Sequence, residues 1–240
     1  MANIKFHPTD TVLMQFTSGD LDPAASIMIS THLEFCPCCR QKVAAYEDEI
    51  SQQLAAEESA VDIVDASGTA TTETPPLSPD LAAMMQQIMS QNTEPEPNHE
   101  SPQPQTITLG DKTYPLPRAL RRHQQEIGPW SRLPGNIKRA QVAVGGSSKM
   151  NFIFMDSDSS LPEHTHQGQE ITLVLAGQFH DEHGTYRAGD FIVQTAEHRH
   201  VPKTEQGEDC LCLTLLDAPL HFTSGLATLL NPFSQLFFRG

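Results

Sequence analysis

Of 240 residues, 38% are hydrophobic and 18 are proline, which fits two small domains joined by linkers better than one large globule. Lys and Arg total 15 against 30 Asp and Glu, a net charge of −15, so phosphate backbones are repelled and direct nucleic-acid binding is not expected. No apolar run reaches the roughly 18 residues of a membrane span, and the N-terminus lacks a leader pattern, so a cytoplasmic protein without membrane contact is expected.

Three stretches with helical spacing come first. Val12, Leu13 and Phe16 make a short apolar stripe. Asp22-Pro23 is a helix start, followed by Ala24, Ile27, Met28 and Thr31. Val43, Tyr46, Ile50 and Leu54 predict a third helix from about Cys36 past Leu54. A Ser/Thr/Pro-rich linker over about 59–79 follows, then an amphipathic helix with Leu81, Met84, Met85, Ile88 and Met89. The polar, low-complexity stretch 91–105 marks the main boundary, with the linker proper over 93–105. The domains expected are therefore a helical unit over 1–92, a β-domain over 106–220 and a helical segment over 221–240. The β-domain rests on short strands at 106–109, 138–144, 151–156, 171–176, 191–195 and 211–216, separated by turn residues, which reads as a sandwich or barrel.

Charge is uneven. Residues 1–100 hold 16 acids and 3 Lys/Arg, so −13, while residues 101–240 hold 14 and 12, so −2. An acidic leading half suits a basic protein partner as well as simple solubility.

Two constellations carry chemistry. The first is His32-Leu-Glu-Phe-Cys36-Pro-Cys38-Cys39, an H-x3-C-x2-C pattern. Imidazole and thiolate are preferred zinc donors, and a closed structural site needs four. His32 lies one helical turn before Cys36, and a helix start there favours the thiolate. His7 is the natural fourth donor, and Cys38 is expected to point elsewhere. A small helical unit has little core, so a metal clip contributing about 10–16 kcal/mol decides whether it folds.

The second constellation is H-x-H-x3-E-x6-G, with His164, His166, Glu170 and Gly177, followed by Gly189 and, eleven residues on, His200. Alternate residues of a strand share a face, so His164 and His166 can aim inward together. Three imidazoles and a carboxylate bind Zn2+, Mn2+, Fe2+ or Ni2+ without sharp preference and leave positions open. Spacing admits His198 as well as His200 for the last donor. Glu163 reads as a solvated carboxylate or an outer partner of the site, His180 and His183 as surface residues, and Cys210 and Cys212 as buried, inert thiols or, alternatively, redox sensors.

The paired motifs resemble those of the cupin superfamily, with Thr195 and Glu197 standing where its second motif usually has Pro and Gly; its spacing selects His200. The leading H-x3-C-x2-C resembles the zinc-binding anti-sigma domain, and both together resemble the ChrR family of anti-sigma factors. That resemblance implies an α+β multidomain protein, a zinc-binding helical bundle followed by a cupin-like antiparallel β-barrel or sandwich. It implies structural Zn2+ on His7, His32, Cys36 and Cys39, and a second metal, zinc in the family, on His164, His166, Glu170 and His200. It further implies that the helical domain sequesters an extracytoplasmic-function sigma factor. The barrel would then sense a small molecule or oxidant under singlet-oxygen-type stress and trigger release. The competing expectation is a metal-dependent dioxygenase or isomerase, since many cupins with three His and one Glu are enzymes; the appended zinc motif favours the regulator, with no turnover.

Overall fold

The computed structural model describes residues 4–60, 79–90, 105–223 and 225–231. The chain divides into two compact units, Met1–Glu47 with Thr106–Gly240, and Asp48–Gln105. This division differs from the expected helical domain over 1–92, because the first helices belong with the β-domain. The expected linkers over 59–79 and 93–105 lie largely outside the described residues.

Helix α1 (Asp10–Ser18) starts at Thr9, whose hydroxyl accepts from the Val12 N–H, and stops at Gly19 with φ 78. Helix α2 (Pro23–Phe35) starts at Asp22, whose carboxylate accepts from the Ala24 N–H at 2.9 Å, with Pro23 in the first position. Cys36 alone separates it from α3 (Pro37–Ala60). Helix α4 (Pro79–Ser90), in the second unit, leaves Leu81, Met84, Met85, Ile88 and Met89 exposed.

The β-domain begins with a hairpin of β1 (Thr106–Leu109) and β2 (Lys112–Pro115), then a short helix α5 (Arg118–Arg121). The main antiparallel sheet uses β3 (Ser131–Leu133), β4 (Ile137–Val142), β5 (Lys149–Met155), β7 (Glu170–Asp181), β8 (Gly184–Arg187), β9 (Phe191–Gln194) and β10 (Cys210–Leu216). Their order is β3-β4-β5-β10-β7-β8, with β9 also paired to β7. A separate pair joins β6 (His164–His166) to β11 (Leu220–Phe222). The result is a cupin-like antiparallel sandwich.

Strand β10 reads CLCLTLL and is buried on both faces. One face carries Leu211, Leu213 and Leu215, and packs in one core with Leu13, Ile27 and Met28 of the helices. The other carries Cys210 and Cys212 toward the interior of the sandwich. A strand covered by helices on its outside loses the apolar–polar alternation of a half-solvated one. Two carboxylates fasten the helices to turn and helix backbone of the β-domain. Asp22 also accepts from the Ser147 N–H at 3.0 Å, and Glu34 accepts from the Arg118 and Ala119 N–H groups at 2.9 and 2.7 Å.

Of the helical segment expected over 221–240, the first residues are strand and 225–230 are helical, while residues 232–240 lie outside the described residues. His221 and Phe222 belong to β11, paired through Phe222 with His164, and Gly225–Leu230 makes a 3-10 turn. The Asn231 side chain accepts from the Phe222 N–H at 2.7 Å and donates to its carbonyl at 2.9 Å, which favours the extended strand.

Candidate metal centres

The first centre forms where α2 meets α3. Cys36 sits at the junction, and its sulfur accepts from the Cys39 N–H at 3.4 Å, which is the position of a helix cap. One turn along, Cys39 faces the same point. His32, one turn before Cys36, is fully buried. His7 arrives from the segment ahead of α1. Its Nδ1 lies 3.4 Å from the Cys36 sulfur and 3.5 Å from the Cys39 sulfur, while His32 Nε2 lies 3.3 Å from the Cys39 sulfur. The four donor atoms all lie within 4.8 Å of one another. A tetrahedral ion with bonds of about 2.0–2.1 Å to nitrogen and about 2.3 Å to sulfur has edges of about 3.3–3.8 Å, so this set can hold a metal ion.

The surroundings prepare the donors. His32 Nδ1 donates to the Gly189 carbonyl at 2.9 Å, which leaves Nε2 unprotonated and directed at the centre. Burial, against the hydrogen bond to Gly189, lowers the His32 pKa to about 4. Burial and the neighbouring Cys36 push the Cys39 thiol up to about 12. Cys38 is exposed and points away from the set.

The second centre sits on the strand pair β6–β11 and the loop after β9. Reciprocal backbone hydrogen bonds of 3.2 Å tie His164 to His200. Three imidazoles converge: His200 Nε2 lies 3.0 Å from His164 Nε2 and 3.3 Å from His166 Nε2. All three rings are buried. His164 Nδ1 donates to the Pro162 carbonyl at 2.9 Å, freeing Nε2. Burial and His200 lower the His164 pKa to about 4. These three nitrogens can hold a metal ion. Of the two candidates for the last imidazole, the structure brings in His200. His198 instead turns back, accepting from the Thr195 N–H at 3.1 Å.

Glu170 stands beside the trio rather than within it. One oxygen lies 3.0 Å from His166 Nδ1 and the other accepts from the Thr172 hydroxyl at 3.0 Å. Burial alone would raise its pKa; the contact with His166 and the nearby His164 and His200 reverse that and hold it at about 2. Glu170, His164 and His200 border one cavity of about 170 Å³. Its walls are largely apolar, with Leu133, Ile137, Ile153, Met155, Phe179 and Phe222 among them.

Sequence reasoning missed the residues that orient His200. Asp181, with a fully buried side chain, places Oδ2 3.0 Å from His200 Nδ1 while its other oxygen accepts from His183 N–H, Gly184 N–H and Tyr186 O–H. The Gln194 carboxamide lies 2.8 Å from the same His200 nitrogen. Asp181 reads in sequence as an ordinary hairpin-turn residue, so nothing local signalled its second role. Its neighbours His180 and His183 lie outside the trio, as does Glu163, which accepts from the Thr223 hydroxyl at 2.6 Å. Cys210 and Cys212 are buried with sulfurs 3.4 Å apart, and burial raises the Cys210 thiol well above its ordinary range.

Residues 122–218 match the family described as the ChrR cupin-like domain. Over 97% of its length the chain is 31% identical to the anti-sigma-E factor ChrR of Cereibacter sphaeroides, spanning 99% of that protein. The chain belongs to the ChrR family of anti-sigma factors. A crystal structure of Rhodobacter sphaeroides SigE in complex with the anti-sigma ChrR matches with a TM-score of 0.64 and 27% identity, covering 90% of this chain and 100% of that one. An RmlC-like cupin from Ralstonia eutropha JMP134 matches at 15% identity and a TM-score of 0.37, covering 49% of this chain and 85% of that one. Membership of the ChrR family places the chain with a regulatory protein rather than an enzyme. Among the described residues no helix is long and apolar enough to cross a membrane.

Proposed function

We propose that this protein is a cytoplasmic negative regulator of transcription that sequesters an extracytoplasmic-function sigma factor and releases it when its barrel senses oxidative stress of the singlet-oxygen type. The observation that carries this reading is the end-to-end match to an anti-sigma factor, which takes in both the leading helices and the barrel. Two features of the leading half support it. Its charge of −13 over residues 1–100 suits the basic surface with which a sigma factor meets DNA. The exposed stripe of α4, with three methionines, suits a groove on such a partner, since thioether side chains adapt to irregular surfaces.

Two ions have separate duties in this reading. His7, His32, Cys36 and Cys39 hold Zn2+ as a closed clip that keeps α2, α3 and the N-terminal segment in one arrangement. His164, His166 and His200, with Glu170 beside them as the fourth donor, hold a second divalent ion, Zn2+ or one of Mn2+, Fe2+ and Ni2+. An ion bound there supplies exchangeable positions to an incoming oxygen donor. The cavity walls select that donor: Leu133, Ile153, Met155 and Phe222 favour a molecule with an apolar body, such as an oxidised lipid fragment. Asp181 and Gln194 keep His200 aligned while the ligand enters.

The test is reconstitution of the zinc-loaded full chain with an extracytoplasmic-function sigma factor from the same genome. A one-to-one complex that silences transcription by RNA polymerase from that factor's promoter is expected. Absence of a complex, or metal-dependent oxygen consumption with small diketones, refutes the regulator. Replacing His164 and His166 together is expected to abolish induction while leaving sigma binding intact; loss of sigma binding contradicts the division of labour.

A further inference from the structure

We propose that strand β9, with the Gly189–Asp190 turn that opens it, links the two centres, so that the grip of the N-terminal site on its ion depends on the state of the barrel site. The inference rests on the two-ion reading above. At one end, both histidines of the first centre are held by this turn. His32 Nδ1 donates directly to the Gly189 carbonyl at 2.9 Å. His7 is held through its own segment: Asp190 Oδ1 accepts from the Lys5 and Phe6 N–H groups at 2.8 and 3.2 Å, and the Phe191 N–H donates to the Phe6 carbonyl at 3.0 Å. The second oxygen of Asp190 accepts from the Arg187 N–H at 2.8 Å, and the side chain is buried, so a charge has been placed indoors to grip backbone. At Gly189, where φ is +95, a Cβ would stand 2.7 Å from Ile4 Cδ1 and 3.1 Å from Phe35 Cβ. Only glycine lets the segment and the end of α2 approach this turn so closely.

At its other end β9 meets the second centre twice. Gln194 is paired with Glu170 across the ladder, and its carboxamide lies 2.8 Å from His200 Nδ1. Four residue steps, about 13 Å of extended chain, therefore separate Asp190 at one centre from Gln194 at the other. The strand is fixed in the sheet through Phe191–Leu173 to Gln194–Glu170, so it transmits displacement along its length rather than bending. A tight physical connection of this kind carries coupling of about 5- to 150-fold in affinity, and the coupling is reciprocal by thermodynamic necessity.

The experiment measures Zn2+ affinity of the N-terminal site by chelator competition in the full chain. Four forms are compared: wild type, His164→Ala/His166→Ala, Asp190→Ala, and all three substitutions together. Disabling the barrel site is expected to weaken N-terminal zinc binding about tenfold. Asp190→Ala is expected to weaken it as well, and in that background the barrel substitutions should add less than twofold. An unchanged affinity after the barrel substitutions, or effects that simply multiply, overturns the link. If Asp190→Ala does not fold, amide exchange at Lys5 and Phe6 in wild type decides: faster exchange when the barrel ion is withheld supports the link, and equal exchange refutes it. A wild-type chain that takes up no zinc at Cys36 and Cys39 refutes the two-ion reading itself, a distinguishable result.

Discussion

The two centres use histidine for opposite ends. In the first, two imidazoles and two thiols meet where two helices join, and every donor atom faces its three companions. In the second, three imidazoles stand on the rim of a sandwich beside an apolar cavity, with a carboxylate at one flank. A thiol-containing set of four closes around an ion and stores folding energy in it; a set of three nitrogens bordering empty volume leaves room for exchange. The difference shows that donor type alone does not assign a role; what surrounds the donors does.

The largest expected effect breaks the comparison at its stronger side. Cys36→Ser with Cys39→Ser removes both sulfurs, and structural zinc of this kind contributes about 10–16 kcal/mol. Elemental analysis is expected to fall from two ions per chain to one, with loss of helical circular dichroism and of sigma binding. The mirror experiment, His164→Ala with His166→Ala, is also expected to leave one ion, with the helical signal retained. If either pair empties both centres together, the sites are not separable and the contrast fails.

Next comes the support beneath His200. Asp181→Asn keeps the shape of the side chain but removes the charge that faces His200 Nδ1. Outer partners of metal-binding histidines are worth about 10- to 100-fold in affinity, and a loss of that order is expected at the barrel site alone. Competition titrations of the two centres in the same variant check it. Equal weakening at both would assign Asp181 to general stability.

Much of this was legible in the sequence, and the failures have physical causes. The H-x3-C-x2-C spacing placed His32, Cys36 and Cys39 because a helix end and a helix start are short-range objects with fixed geometry. The rim pattern placed His164 and His166 because a strand alternates. Strands β2, β3, β8 and β11 were not expected, because runs of three or four residues carry too little periodicity. The helical unit was expected to stand alone, yet its donors lean on Gly189 and Asp190, more than 150 residues away. Asp22, legible as a helix start, and Glu34 gave no sign that they also bond the β-domain at Ser147 and at Arg118. Contacts across such separations follow from the fold, and no local pattern encodes them.

Acidity sharpens the contrast by a smaller factor. The Cys39 thiol, held up to about 12, keeps its proton near neutral pH until an ion displaces it. Affinity at the first centre should therefore rise about tenfold per pH unit for each proton released. His164 at about 4 and Glu170 at about 2 have no proton to surrender above about pH 5, so they contribute no such slope at the second centre. Competition titrations between about pH 6 and pH 8 should give a steep line for one centre and a shallower one for the other; equal slopes would erase the distinction. In metal-free protein, His32 and His164 are neutral when folded and take up protons on unfolding. Stability should then fall as pH drops from 6.5 toward about 4, by up to about 3 kcal/mol for each, measured by denaturant midpoints.

The smallest expected effect is the most discriminating about assignment. Cys38 lies between two donors in sequence, and a metal site defined by composition alone would include it. The start of α3 decides otherwise. Cys36 occupies the capping position and Cys39 follows one turn later on the same side, whereas Cys38 is rotated by about 100° from its neighbour and meets solvent. Cys38→Ser should therefore leave the zinc count, the affinity and the unfolding midpoint unchanged, the last within about 0.5 kcal/mol. A lost ion in this variant would mean that the helix starts in a different register from the one described, and with it the aim of Cys36 and Cys39 would change.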